Sequence, residues 1–150
     1  MSQELQEISE QIDQVEQQID LVGQEIDELE AEQDEIDEAI EAIEALESGD
    51  EVKVPLGGNS YVNAEIQDVD EIVVGLGAGY AAERTQENAV ETLRSKQDTI
   101  DERIEEYEDD VADLEDTLEE MESRAQSLQQ QQMQQQMQQM GGMGGEEPDE

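Results

Sequence analysis

Residues 52–62 read VKVPLGGNSYV, two alternating apolar stretches separated by the turn-forming sequence Gly57-Gly58-Asn59. Alternating apolar and polar residues are typical of a β-strand with one buried face, and a short Gly/Asn connection is typical of a hairpin. Residues 71–84 repeat this design, with a connection through Gly77-Ala78-Gly79. Pro55 cannot donate a ladder hydrogen bond, so we expect its strand to be an edge strand or irregular. The sequence therefore predicts two consecutive β-hairpins.

Before the hairpins, apolar residues recur at alternating intervals of three and four. The twelve positions of this seam are Leu5, Ile8, Ile12, Val15, Ile19, Val22, Ile26, Leu29, Gln33, Ile36, Ile40 and Ile43. Because eleven of them are apolar, the spacing predicts a coiled-coil helix of about 40 residues. Ser48-Gly49-Asp50 is expected to end it, with the glycine at the carboxyl-terminal cap.

A second seam of twelve positions follows the hairpins. It comprises Val90, Leu93, Gln97, Ile100, Ile104, Tyr107, Val111, Leu114, Leu118, Met121, Ala125 and Leu128. Thr85 is the expected amino-terminal cap of this helix. Two seams of equal length predict an antiparallel pairing, which would place Leu5 opposite Leu128, Ile19 opposite Leu114 and Ile43 opposite Val90.

The two seams each contain one glutamine. In the antiparallel register Gln33 and Gln97 fall in adjacent layers, near enough to contact each other. A polar residue in a coiled-coil seam is either a mild local defect or a device that fixes the register at some cost in stability. Both interpretations stay open. The first helix carries no base through Val52, so salt bridges cannot set the pairing of the helices. The apolar seam must do so.

The predicted fold is mainly α: a long antiparallel two-helix coiled coil with two β-hairpins between the helices. We expect a first coiled-coil helix over 1–47, a double hairpin over 48–84 and a second coiled-coil helix over 85–132. Two hairpins with one apolar face are marginally stable alone, so the hairpin segment is expected to form an oligomer. Residues 133–150 are rich in Gln, Met and Gly with an acidic end, and we expect them to be disordered.

The composition is extremely acidic: 45 acids oppose six bases, for a formal net charge of -39. Such a chain repels phosphate, which argues against nucleic-acid and anionic-membrane partners. High charge with few aromatic residues is typical of disorder. It also fits a folded protein adapted to molar salt, where screening shortens repulsion to about 3 Å. The strict periodicity of the apolar residues favours salt adaptation.

No constellation of residues predicts an enzyme. The chain has no Cys and no His, which removes thiol nucleophiles, imidazole bases and ordinary zinc sites. Gly75-Leu76-Gly77-Ala78-Gly79 lacks the spacing of a dinucleotide-binding turn, and Asp68 and Asp70 lack the rest of a calcium loop. We therefore expect no catalytic residue, no cofactor and no metal. With no leader and no membrane span, a cytoplasmic location is expected.

Met133, Met137 and Met140 follow one another at helical spacing near the carboxyl end. They lie off the seam, since the first of them comes five residues after Leu128. Three interpretations are open: a disordered tail, adaptable apolar contact with diverse protein partners, and thioether binding of Cu(I).

The hairpin segment resembles that of prefoldin alpha-type subunits. Residues 54–62, VPLGGNSYV, are similar to that family's first hairpin, and residues 72–80, IVVGLGAGY, followed by Glu83, to its second. The layout of helix, double hairpin and helix extends the resemblance over about residues 4–128. The scarcity of Lys departs from the family pattern and fits a halophilic archaeal member.

The resemblance implies an ATP-independent holdase. Two alpha-type subunits would join four beta-type subunits through a β-barrel made by their hairpins, with nine apolar hairpin residues as candidates: Val54, Leu56, Tyr61, Val62, Ile66, Ile72, Val74, Leu76 and Tyr80. Non-native client proteins would be held at the coiled-coil tips and inside the cavity between the coiled coils, and then passed to a group II chaperonin without nucleotide. Because coiled coils fray at open ends, the client-binding candidates of the seam are Leu5, Ile8, Ile12, Met121 and Leu128. Met133 and Met137 are further candidates, because methionine gives adaptable apolar contact.

Two other functions remain alternatives. A structural coiled-coil spacer or tether explains the seams but not two hairpins between equal helices. An RNA-binding helical arm, like that of seryl-tRNA synthetase, would need basic tips, and residues 1–52 contain no base.

Overall fold

A computed structural model describes residues 3–144. It contains six elements in the order α1 (Gln3–Ala45), β1 (Glu51–Gly57), β2 (Ser60–Glu65), β3 (Ile72–Gly77), β4 (Tyr80–Arg84) and α2 (Gln86–Gly144). The predicted fold of two long helices with two β-hairpins between them is thus confirmed. The chain divides into two compact units. We call residues 27–105 the hairpin unit, and residues 3–26 with 106–144 the helical unit.

Each hairpin closes through a two-residue turn with both residues at positive φ. Asn59 lies at φ 60° and Gly58 at φ 57°, while Ala78 lies at 52° and Gly79 at 80°. This left-handed pair is the type I′ turn, whose twist matches that of the strands it joins. Ala78 carries a Cβ in a region that L-residues rarely adopt. Both hairpins thus use the same turn type, although their turn sequences differ.

Strands β1 and β2 pair antiparallel, with Val54 opposite Val62 and Pro55 opposite Tyr61. Strands β3 and β4 pair in the same way, with Val74 opposite Ala82. Each pair is a separate two-stranded sheet. An irregularity lies before each turn, and the first follows Pro55 directly, in agreement with the expectation for that residue. The barrel implied by the family resemblance would require strands from other subunits.

The junctions between helices and hairpins are held by hydrogen bonds, most of which join residues distant in sequence. The Thr85 hydroxyl accepts from the Asn88 N–H at 3.2 Å, which confirms Thr85 as the cap of α2. The Asp70 carboxylate accepts from the Gln86 N–H at 3.2 Å. The Gln86 side-chain amide donates to the carbonyls of Ile43 at 2.6 Å and Leu46 at 2.8 Å. The start of α2 thereby supplies a donor to carbonyls at the end of α1, of which that of Ile43 also accepts from the Leu46 N–H.

Within the hairpin unit, the two helices run antiparallel around a buried apolar seam. The Gln33 side chain hydrogen-bonds to Asp101, and the Gln97 side chain hydrogen-bonds to Asp37. From the first of these pairs to the second, the residue number rises by four in α1 and falls by four in α2, as expected for antiparallel helices. The buried helical side chains of this unit are Leu29, Ile36, Ile40, Ala89, Val90, Ile100 and Ile104.

Within the helical unit, the seam is less completely covered. Leu5, Ile8 and Val15 of α1 are buried, but no residue of α2 from 106 to 140 is. Ile8 and Leu128 line one surface groove, and Val22 and Leu114 line another. These neighbours agree with the predicted antiparallel register to within one helical turn. Neither helix, as far as the structure describes them, has a stretch long and apolar enough to cross a membrane.

Helix α2 is longer than the sequence pattern predicts. It continues to Gly144 rather than ending near residue 132. Residues 133–144, for which the sequence analysis expected disorder, are thus helical in this structure, and residues 145–150 lie outside the described part. The seam pattern ends at Leu128, but Gln and Met are good helix formers, so the helix needs no seam to continue locally.

Candidate functional site

The hairpins present a large apolar surface to solvent. Six of the nine side chains proposed to mediate oligomerisation are exposed, namely Val54, Leu56, Tyr61, Val62, Leu76 and Tyr80. Ile66 and Ile72 are half-buried, and Val74 is buried within this chain. Exposed apolar residues concentrated on one segment are unusual for a monomer and typical of an interaction surface.

Val73 also belongs to this surface, although it was not among the residues predicted from the sequence. Val73 is 69% exposed, and it lies opposite Glu83 on β4. The run Ile72-Val73-Val74 places apolar side chains on both faces of β3, because successive residues of a strand point to opposite faces. An uninterrupted apolar run, rather than alternation, was the available signal for a strand covered on both sides.

The hairpins also leave backbone groups available for pairing. Each sheet has only two strands, so every strand has one edge without a neighbour in its own sheet. Such edges are templates for pairing with a strand of another chain. Apolar side chains and open edges thus occur together on residues 51–84.

The residues proposed to bind clients divide into two groups. Leu5 and Ile8 are buried, and Ile12, Met121 and Leu128 are half-buried in the seam. Met133 and Met137 are 68% and 75% exposed. Only the second group is open to a partner without separation of the helices. The client-binding role of both groups remains a prediction.

The end of α2 differs chemically from the rest of the chain. Residues 125–145 contain no charged side chain, although the whole chain has a net charge of -39. Met140, which the site prediction omitted, is 78% exposed and follows Met137 by three residues. Side chains at i, i+4 and i+7 of a helix lie on one face. The three methionines therefore form an uncharged apolar stripe.

The seam glutamines are connected across the two helices. The Gln97 side-chain amide donates to the Gln33 carbonyl at 3.3 Å and to the Asp37 carboxylate at 2.6 Å, and the Gln33 amide donates to Asp101. The predicted contact between the two glutamines is thus present. Because each bond requires one particular partner on the other helix, this arrangement supports a role in fixing the register.

The acidic residues in the described part of the chain form no candidate metal centre. Within residues 3–144, no group of acidic side chains has a suitable arrangement for an ion. The carboxylates of Asp68 and Asp70 instead accept backbone N–H groups, from Asp70 and Gln86 respectively. These two residues therefore have a structural role at the start of α2.

Comparison with known proteins places the chain in a family. The sequence profile described as Prefoldin subunit matches residues 15–131. The prefoldin subunit alpha of Halorubrum lacusprofundi is 62% identical over 104 residues, which are 69% of this chain and 68% of that protein. That of Haloquadratum walsbyi is 66% identical over 99 residues, 66% of this chain and 64% of that protein.

Solved structures show the same fold. Filamentous PFD from Methanocaldococcus jannaschii matches with a TM-score of 0.68 at 22% identity, covering 77% of this chain and 98% of that one. The prefoldin beta subunit from Thermococcus strain KS-1 matches with a TM-score of 0.57 at 22% identity, over 85% of this chain and 93% of that one.

Two long helices joined through a pair of hairpins define a coiled-coil protein with a hairpin segment between its helices. The chain belongs to the prefoldin family, which is known as a family of chaperone subunits. Its similarity to alpha subunits of halophilic archaea agrees with the acidity of the sequence. Prefoldin subunits are not enzymes, and family membership therefore confirms the expectation that this chain is not an enzyme.

Proposed function

We propose that this chain is the alpha-type subunit of an ATP-independent holdase that captures non-native proteins and delivers them to a group II chaperonin. One observation carries the proposal: residues 51–84 of this prefoldin-family chain combine open strand edges with exposed apolar side chains. A spacer or tether needs neither feature. The proposed location is the cytoplasm.

Assembly is proposed to occur through the hairpins. Val54 and Val62 lie opposite each other and are both exposed, so a neighbouring strand or sheet can cover them. Burial of apolar area contributes about 25 cal/mol per Å², which favours association over solvation of this face. The proposed partners are beta-type subunits, in a hexamer of two alpha and four beta chains.

Client capture is proposed to use the ends of the helices. The methionine stripe combines exposure, adaptable side chains and freedom from charge, which suits contact with many different apolar segments. The seam residues Leu5, Ile8 and Leu128 would contribute when the helix ends separate. Several such arms in one oligomer would add avidity to individually weak contacts.

The decisive experiment measures aggregation of a denatured test protein in molar salt without nucleotide. The assembled oligomer is expected to suppress aggregation at stoichiometric amounts, whereas a spacer or tether would have no effect. Exchanging Met133→Gln and Met137→Gln should weaken capture by about twofold to fivefold. The control is Gln131→Ala with Gln135→Ala, which are exposed on the opposite face of the same helix. If both double variants capture the test protein equally well, the methionine stripe does not contribute to client capture.

Assembly is tested separately by light scattering after size exclusion. Val54→Asn with Val62→Asn is expected to release free alpha-type subunits, because two apolar side chains on one face become polar. Lys53→Gln with Asn63→Ser changes the opposite face of the same strands and serves as the control. An intact oligomer after the valine exchange would show that the interface lies elsewhere.

A further inference from the structure

An apolar groove lies on the surface of the helical unit, away from the residues proposed to bind clients at the tips. It measures about 420 Å³ and is open to solvent. Its lining residues are Gln18, Leu21, Val22, Asp110, Asp113 and Leu114. The seam residues Val22 and Leu114 are half-buried, whereas Leu21 is 60% exposed.

Leu21 has no place in the coiled-coil seam. It precedes the seam residue Val22, and the equivalent positions one heptad earlier and later are Gln14 and Glu28. The corresponding position on α2, immediately before the seam residue Leu114, is occupied by Asp113. Polar residues are thus the rule at this outward position, so pairing of the helices does not require a leucine there. An exposed leucine beside two half-buried apolar side chains creates a local apolar surface.

The rim of the groove restricts what can bind there. Asp110 and Asp113 line it on the α2 side, and Arg124 is the one base within residues 3–26 and 106–144. In molar salt, charges interact over only about 3 Å. A cation on the occupant must therefore lie directly next to the apolar side chain that enters the groove. A second copy of this chain, with a net charge of -39 and six bases, fits this requirement poorly.

We propose that this groove is a second client-contact site, which takes an apolar side chain flanked by Lys or Arg from an extended non-native polypeptide. The inference rests on the proposed chaperone function and adds a preference in sequence to it. Val22 and Leu114 form the floor, Leu21 provides an apolar wall, and the two aspartates pair with the flanking cations. The methionine stripe carries no charge, so it provides no such preference.

The test uses the assembled oligomer in molar salt and three fluorescent peptides. One has a central Leu flanked by Arg, the second replaces the Arg with Glu, and the third replaces the central Leu with Ser. Fluorescence anisotropy reports their affinities. Wild type is expected to bind the first peptide at least about tenfold more tightly than either of the others.

Two variants separate the apolar and the charged contributions. Leu21→Gln should weaken binding of the first peptide by about fivefold, with Glu28→Gln as the control at the equivalent outward position. Asp110→Asn with Asp113→Asn should reduce the preference for Arg over Glu flanks by about threefold. Asp109→Asn with Asp116→Asn, which makes the same change in net charge at exposed positions outside the groove, should leave that preference unchanged.

The outcomes distinguish failure of the groove from failure of the chaperone function. Unchanged peptide affinity in Leu21→Gln, in an oligomer that still suppresses aggregation, would overturn the groove while leaving the function intact. An oligomer that neither binds the peptides nor suppresses aggregation would overturn both. Equal effects of the two aspartate pairs would show a general charge effect and would overturn the sequence preference. Leu21 is exposed, so circular dichroism of its variant should match wild type.

Discussion

The hairpin unit and the helical unit use the same seam pattern but pack it differently. In the hairpin unit, both helices bury seam residues, including Ile36 of α1 and Ile100 of α2. In the helical unit, α2 contributes only half-buried residues such as Leu114 and Met121. Isoleucine has few rotamers and fills a seam layer uniformly, whereas methionine is flexible. Seam spacing thus predicts that helices pair, and the choice of side chains decides how tightly.

The two units also differ in charge balance. Five of the six bases lie within residues 27–105, and one of them, Arg94, pairs with Glu44 at 3.2 Å. Both side chains of that pair are more than half exposed, so it contributes little by itself. The helical unit has a single base, Arg124, for all its acids. The helical unit thus combines the less completely buried seam with fewer bases to offset the repulsion between its acidic residues.

The largest expected effect comes from removing salt. In molar salt both units should be protected, because repulsion is screened to short range. Transfer to about 0.1 M salt extends screening to about 10 Å, and the helical unit should lose amide protection before the hairpin unit does. Hydrogen exchange followed by mass spectrometry measures both at once. Simultaneous loss of protection in the two units would contradict the comparison.

Truncation of one seam side chain in each unit gives the next effect. Ile36→Ala should lower the free energy of unfolding by about 2–4 kcal/mol, because it leaves a cavity in a closed seam. Leu114→Ala should cost about 1–2 kcal/mol, since that side chain is only half-buried. Urea denaturation in molar salt, with the same oligomer concentration throughout, provides the values. Equal losses would mean that the two seams are equally packed.

Replacing both seam glutamines should have the smallest effect on stability and the opposite sign. Gln33→Leu with Gln97→Leu removes the bonds to Asp101 and Asp37 and should raise the free energy of unfolding by about 1 kcal/mol. The cost should appear as mixed registers, detected by disulfide trapping between cysteines introduced at exposed positions of α1 and α2. A single register in the leucine variant would show that the apolar seam alone defines the alignment.

The architecture was predictable because it depends on local periodicity. Heptad spacing, the glycine-containing turns and the Thr85 cap are properties of short segments, and each was found where the sequence placed it. The end of α2 was not predictable from the seam, since Gln and Met continue a helix without a partner. Leu21 was overlooked for a similar reason: a single apolar residue off the seam is conspicuous only when its exposure and neighbours are known.

The amide of Gln86 has a consequence for the order of events during translation. It donates to the carbonyls of Ile43 and Leu46, yet it is made some forty residues after them. As synthesis proceeds from the amino terminus, α1 and both hairpins leave the ribosome before the group that completes the end of α1. The nascent chain therefore acquires its helix junction only when the second helix begins to emerge.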